Sequence, residues 1–157
     1  KDNLNYEYEY KNFLKSYDVG FLTFMVSRDI IEKKNIKFNT KFEIISDFEF
    51  VMRICKNEKI SACNKTLGFY RLHSESYSFK NIIKHILELK NWVAMEVKNK
   101  NITSKEDLLN INKKIDLLEY KSFLTSKKKL KPKEIKKFNA INLTDKIKTN
   151  IKVRLGY

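Results

Sequence analysis

Glycine and proline are nearly missing from this chain of 157 residues, which has three of the first and one of the second. So few punctuating residues cannot supply a turn-dense all-β fold, and a helix-rich globular body is expected instead. Cysteine is almost as scarce. Cys55 and Cys63 lack metal-ligand spacing and are too few for a disulfide framework, so both are read as free thiols in a reducing compartment. No apolar run approaches the roughly 18 residues that a membrane-crossing helix needs, and residues 1–10 hold no signal-peptide core. The expected location is cytoplasmic, with any membrane attachment peripheral and at the inner face. Motifs that cradle nucleotides are absent as well, since the sequence contains no Asp-x-Asp, no P-loop and no Gly-x-Gly-x-x-Gly.

What is present is apolar, aromatic and basic. Hydrophobic residues make up 42% and aromatics 13%, too much of both for a disordered chain. The formal net charge is +14, and residues 121–157 contribute most of it, with twelve Lys or Arg against Glu134 and Asp145. Basicity is therefore a feature of the C-terminal part. A concentration of this kind suits an anionic membrane surface, a nucleic acid or an acidic glycolipid, and equally a solvated lysine-rich helical tail.

Periodicity places the elements. Residues 6–17 alternate aromatic and charged types, as a half-exposed strand or an irregular lead-in would. Residues 19–26 form a β-branched and aromatic run that reads as a buried strand, and residues 28–34 fit a short helix. From Ser46 the spacing turns helical, with Phe48, Val51, Met52 and Cys55 on one face; Ser46 and Glu49 make a capping-box signature that puts Asp47 in the first turn. Residues 60–63 and 67–71 read as two short strands around a turn at Asn64 and Lys65. Beyond them Ile82, Ile86, Leu89, Val93 and Val97 form the stripe of a helix of about five turns, with Trp92 beside it. Thr103 with Glu106 predicts a second capping box, before a helix lined by Leu108, Ile111, Ile115 and Leu118. Pro132 is placed to open another helix and Thr144 to cap a last one.

The informative segment is residues 38–78, FNTKFEIISDFEFVMRICKNEKISACNKTLGFYRLHSESYS. Phe38-Asn39 with Phe42, then Ser46-Asp47, then Arg53, then Tyr70-Arg71-Leu72-His73 follow one another in an order and spacing that resemble the second half of the catalytic domain in family-two glycosyltransferases. Those enzymes show a Gly-Phe-Asp element, a Glu-Asp pair opening a helix that runs to an Arg, a strand pair and Tyr-Arg-x-His. The resemblance covers about residues 17–98. Two departures stand out: Ser46 replaces the usual Glu of the pair, and Asn39 replaces the usual acid after Phe38.

The resemblance implies an α/β fold, the C-terminal part of a GT-A (Rossmann-like) nucleotide-sugar transferase domain with a short mixed sheet, followed by a mainly α-helical basic extension. Residues 1–98 would be the acceptor-side portion and residues 99–157 the extension. It also implies a role for each residue. Asp47, the second member of the acidic pair, would be the general base of an inverting transfer. Tyr70, Arg71 and His73 would lie near the substrate or the diphosphate, with His73 a candidate metal ligand, and Ser46, Glu49 and Arg53 would support the helix. A divalent metal, Mn or Mg, and a nucleoside-diphosphate sugar belong to the full-length enzyme, with a surface glycan or lipid-linked hydroxyl as acceptor. Because the donor half with its Asp-x-Asp is not in these residues, the chain is expected to be a fragment, inactive alone.

Chemistry favours an aspartate at such a place. Inverting transfer needs a carboxylate to take the acceptor proton, and the positive end of a helix dipole keeps that carboxylate ionised. The same position has a purely structural reading, since an Asp in a first turn stabilises a helix by about 0.3 to 1 kcal/mol. Arg71 could meet a diphosphate or pair with Asp47 or Glu49, and core packing is the simpler expectation for Tyr70 and Trp92. Two other classes of function stay open. One is a non-catalytic basic helical module for nucleic acid or an anionic membrane; the other is an interaction protein derived from a transferase that lost catalysis.

Overall fold

The computed structural model describes residues 4–63, 65–71, 76–126 and 132–154. Most of them are helical, and the sheet consists of two strands. The expected α/β class is thereby corrected: no Rossmann-like sheet is present among the described residues. The chain divides into two compact units, Lys1–Arg71 and Leu72–Tyr157.

In the first unit, strand β1 (Leu4–Tyr8) pairs antiparallel with β2 (Ile60–Cys63), Tyr8 opposite Ile60 and Glu7 opposite Ser61, with an irregularity between Leu4 and Tyr6. Between them lie α1 (Tyr10–Lys15), a 3-10 turn (Phe21–Thr23), α2 (Arg28–Lys33) and α3 (Ser46–Cys55). The lead-in at residues 6–17 thus resolves into a strand and then a helix. Glu9 starts α1 through a reciprocal box with Asn12, whose Oδ1 accepts the Glu9 N–H at 2.8 Å.

Helix α3 is the centre of this unit. The expected face of Phe48, Val51, Met52 and Cys55 is buried, and Phe50 and Ile54 are buried as well, so apolar contact surrounds most of the helix. Phe50 and Ile54 pack with Ile36, and Phe24, Val26, Ile30 and Ile31 cover that cluster. Each such side chain contributes roughly 1.5 to 3 kcal/mol on leaving water. Phe48 meets the edge of Tyr17 at 4.9 Å, Tyr17 meets Phe13 at 6.0 Å, and Phe13 meets Tyr8 at 5.6 Å.

Two expected strands are not formed. Residues 19–26 turn at Gly20, whose carbonyl accepts both the N–H and the hydroxyl of Thr23, and Leu22 and Met25 are exposed. The run lacks a partner strand among the described residues; its apolar members Phe24 and Val26 cover α3 instead. Residues 67–71 form no strand either, because β2 is paired with β1, and Leu67, Phe69 and Tyr70 are exposed.

Helices are the regular elements among the described residues of the second unit: α4 (Tyr77–Lys80), α5 (Ile82–Lys98), α6 (Lys105–Thr125), α7 (Pro132–Asn139) and α8 (Leu143–Arg154). The stripe of α5 buries Ile86, Leu89 and Val93 with Trp92, but Val97 is exposed and Glu96 is buried in its place. Helix α6 lies against α5, α7 and α8. Ile111 and Ile115 are its buried residues. Lys137 of α7 binds Asp116 at 2.7 Å and Glu119 at 2.5 Å, and Lys90 of α5 reaches Glu119 at 2.5 Å. Burial alone would raise the Glu119 carboxyl, but hydrogen bonds from Lys137 and Lys90, with their charges, bring it below its ordinary value. Phe138 closes α7 against Tyr120 and Phe123.

Two helix starts depart from expectation, one by a single residue and one by two. Ser104, not Thr103, caps α6, its hydroxyl accepting the Asp107 N–H at 3.0 Å. Asn142, not Thr144, caps α8, its Oδ1 accepting the Asp145 N–H at 3.2 Å. Pro132 opens α7 as its fixed φ and missing N–H favour.

Candidate functional site

Helix α3 begins without the expected capping box. Ile45 occupies the cap position and has no side chain to offer, while Ser46, the first helical residue, donates its hydroxyl to the Glu43 carbonyl at 3.2 Å. Asp47 caps the turn itself, its Oδ1 accepting the Phe48 N–H at 2.6 Å. Its second oxygen makes no hydrogen bond with any described residue. Asp47 is thus a half-buried carboxylate at the positive end of a ten-residue helix, with one oxygen fixed by the Phe48 N–H.

Tyr17 stands close enough to register that charge. Its hydroxyl is pushed well above the ordinary tyrosine range, first by burial and then by the charges of Asp47 and Cys55, so it remains a neutral phenol. Ser16 and Asp18, the neighbours of Tyr17 in an open stretch of chain, line a separate groove of about 450 Å³ together with Tyr8, Phe13, Thr23 and Cys63. The Ser16 hydroxyl donates to Asp18 Oδ2 at 2.7 Å. Asp47 is not part of that lining. Nothing in the sequence reading pointed to the groove; the alternation of polar Ser16 and Asp18 about an aromatic was the available signal.

The other residues of the motif divide by place. Glu49 is buried and its Oε2 accepts from Arg53 Nη2 at 2.9 Å, one turn along α3. The same nitrogen donates to the Lys37 carbonyl at 2.6 Å, which ties the segment before α3 to the helix. Arg53 Nε is buried without a hydrogen-bond partner among the described residues. Phe38 stacks on Phe50 at 4.6 Å and presents itself to the edge of Phe21 at 5.7 Å. Asn39 shapes the turn that follows, its Oδ1 accepting the Lys41 N–H and its carbonyl the Phe42 N–H, both at 3.1 Å. Phe42 is buried. The elements from Phe38 to Arg53 therefore form one connected structure around α3.

Tyr70 and Arg71 do not join it. Tyr70 is 74% exposed rather than packed in a core, Arg71 is exposed, and no hydrogen bond or ion pair links either to Asp47. Trp92, by contrast, is buried as expected. His73 lies outside the described residues. No group of three His, Cys, Asp or Glu is placed to hold a metal ion among the described residues, and none of their helices is long and apolar enough to cross a membrane. Cys55 is buried and Cys63 exposed, both as free thiols. No family model, no curated protein and no solved structure matches this chain.

Proposed function

We propose that these residues carry the acceptor-side part of an inverting nucleotide-sugar glycosyltransferase, with Asp47 as the general base. The observation that supports this most is the available oxygen of Asp47 at the start of α3, held by the Phe48 N–H on its other side. In the proposed step this oxygen takes the proton of an acceptor hydroxyl as the hydroxyl oxygen attacks the anomeric carbon; the nucleoside diphosphate leaves from the opposite face with the bonding pair. Such help is worth about 10² to 10⁴ in rate, or roughly 3 to 5 kcal/mol of barrier.

The role rests on helical support rather than on a nucleotide-binding sheet. Glu49, Arg53 and the Lys37 carbonyl fix the flank of α3, and the ring of Phe48, next to Asp47 in sequence, packs edge-on to Tyr17. The metal and the donor diphosphate are assigned to no described residue. Arg71, Tyr70 and His73 keep their proposed place near the diphosphate only as neighbours in the motif.

The test uses the natural protein that contains this sequence. It is offered UDP-glucose, UDP-N-acetylglucosamine and GDP-mannose in turn with a panel of alkyl glycosides. Release of nucleoside diphosphate that depends on acceptor, with inverted configuration at the new linkage by NMR, is the expected result. A retained configuration, or no acceptor-dependent release from any donor, contradicts the proposal.

A further inference from the structure

Helix α8 carries a feature unrelated to the chemistry at Asp47. Leu143, Ile147 and Ile151 recur every four residues along it, and they are 72%, 50% and 52% exposed. That spacing puts them in one stripe. Lys148 and Lys152, each one residue beyond an isoleucine, are exposed along the flank of the same stripe. Asp145, Thr149 and Val153, offset by two residues, are half-buried, and Asn150 Nδ2 donates to the Tyr120 hydroxyl of α6 at 3.4 Å. Helix α8 thus meets α6 on one side and turns an aliphatic, lysine-edged stripe to solvent.

A second observation concerns charge. The half-buried Lys121 of α6 is pushed below the ordinary lysine range, first by burial and then by the charge of Lys152. The sequence of α8 adds Lys146 and Arg154 to Lys148 and Lys152, with Asp145 its one acidic residue.

We propose that α8 is an interfacial helix for an anionic lipid bilayer: Leu143, Ile147 and Ile151 enter the boundary between headgroups and acyl chains, and Lys148 and Lys152 hold anionic headgroups. Aliphatic burial and lysine attraction are the two contributions that such binding sums. A nucleic acid would satisfy the lysines but would leave three aliphatic side chains without a counterpart, and the stripe has no aromatic on which a base could stack. A second copy of the chain would cover the aliphatics but bring lysines of like charge together.

The experiment is flotation of the protein with vesicles of phosphatidylcholine and phosphatidylglycerol, against vesicles of phosphatidylcholine alone. Binding to the anionic vesicles is expected to be at least about tenfold tighter and to weaken with salt. Ile147→Ser with Ile151→Ser, and separately Lys148→Glu with Lys152→Glu, should each lower it by about tenfold or more while helical circular dichroism is kept. If the double serine variant unfolds, Leu143→Ser at the first residue of the helix takes its place, with a loss of about threefold. Asp47→Asn should leave binding unchanged, which separates this result from the fate of the transferase reading. Equal binding to both vesicles, binding indifferent to the isoleucine variants, a dimer that those variants dissociate, or duplex DNA binding that they leave intact would each overturn the proposal.

Discussion

Arg53 reaches back one turn along α3 to the buried carboxylate of Glu49, and the nitrogen that makes this 2.9 Å contact also holds the Lys37 carbonyl at 2.6 Å. One guanidinium therefore joins the charge inside α3 to the chain that leads into it. Arg53→Met removes both bonds and takes from a buried carboxylate its cationic partner. The expected cost is about 2 kcal/mol, below the full value for a buried pair because Arg53 is a third exposed. Arg53→Lys should recover less than half of it, since an ammonium lacks the planar fork. Urea unfolding measures both, and a loss under about 0.5 kcal/mol for Arg53→Met would show that the pair is incidental.

Ser104 closes the start of α6 through the Asp107 N–H. Ser104→Ala should lower stability by about 1 kcal/mol, while Thr103→Ala, one residue earlier, should change it by a few tenths at most. Thermal unfolding of the two variants decides between these adjacent caps; equal losses would contradict the observed one.

Much of the second unit was legible because its signals are local. The apolar stripe of α5 recurs at helical spacing over about four turns and that of α6 over about three, and Pro132 marks the start of α7 by its own chemistry. The displacement of the α6 cap by one residue has a plain origin, since Thr103 and Ser104 are both able to cap and only the path of the chain selects one. In the first unit the composition of residues 19–26 gave a strand, but a strand needs a partner, and partners are non-local. The same run instead folds over Ile36, Phe50 and Ile54. At the site, the place of Asp47 in the first turn of α3 was readable from spacing. The service of Asp47 as its own cap, the Arg53 bond to Lys37 and the groove beside Ser16 depend on chain reversals that no periodicity encodes.

Scarcity of glycine also hid two helix ends. Asn35 and Lys100 take left-handed conformations, with φ of 45° and 59°, just past α2 and α5. At each, paired bonds close the helix in a Schellman motif: Asn35 to Glu32 and Ile36 to Ile31 in one, Lys100 to Val97 and Asn101 to Glu96 in the other. Lys100→Gly should stabilise the protein by about 0.5 to 1 kcal/mol, because lysine bears a steric cost there that glycine does not. A lowered melting temperature for that variant would contradict the assignment.

The two thiols should behave oppositely. Cys63 is exposed and is expected to react with a disulfide reagent in the native protein near pH 8, whereas Cys55 should react only on unfolding. Burial pushes the Cys55 thiol from its ordinary 9.0 up to about 12, against the opposing effect of its own backbone hydrogen bond. The native state thus keeps this proton longer than the unfolded chain does. The corresponding stability is fully present below about pH 9 and is lost as pH rises toward about 12. Tyr17, raised by burial and by Asp47, slopes the same way, so Cys55→Val should remove part of the alkaline loss and not all of it. Unfolding midpoints from pH 8 upward measure this, and a flat profile would contradict it.

The central claim concerns one oxygen of Asp47. In the natural protein that contains this sequence, Asp47→Asn preserves shape and the hydrogen bond to Phe48 but removes the basic lone pair, so turnover of sugar onto an acceptor should fall by about 10² to 10⁴. Unfolding free energy should move by no more than about 1 kcal/mol, the worth of a first-turn charge. The direct measurement is kcat for Asp47→Asn and Arg53→Met side by side. A loss of turnover far larger for Asp47→Asn than for Arg53→Met is the result predicted; unchanged turnover in the Asp47 variant, with the protein folded, would contradict the assignment of Asp47 as the base.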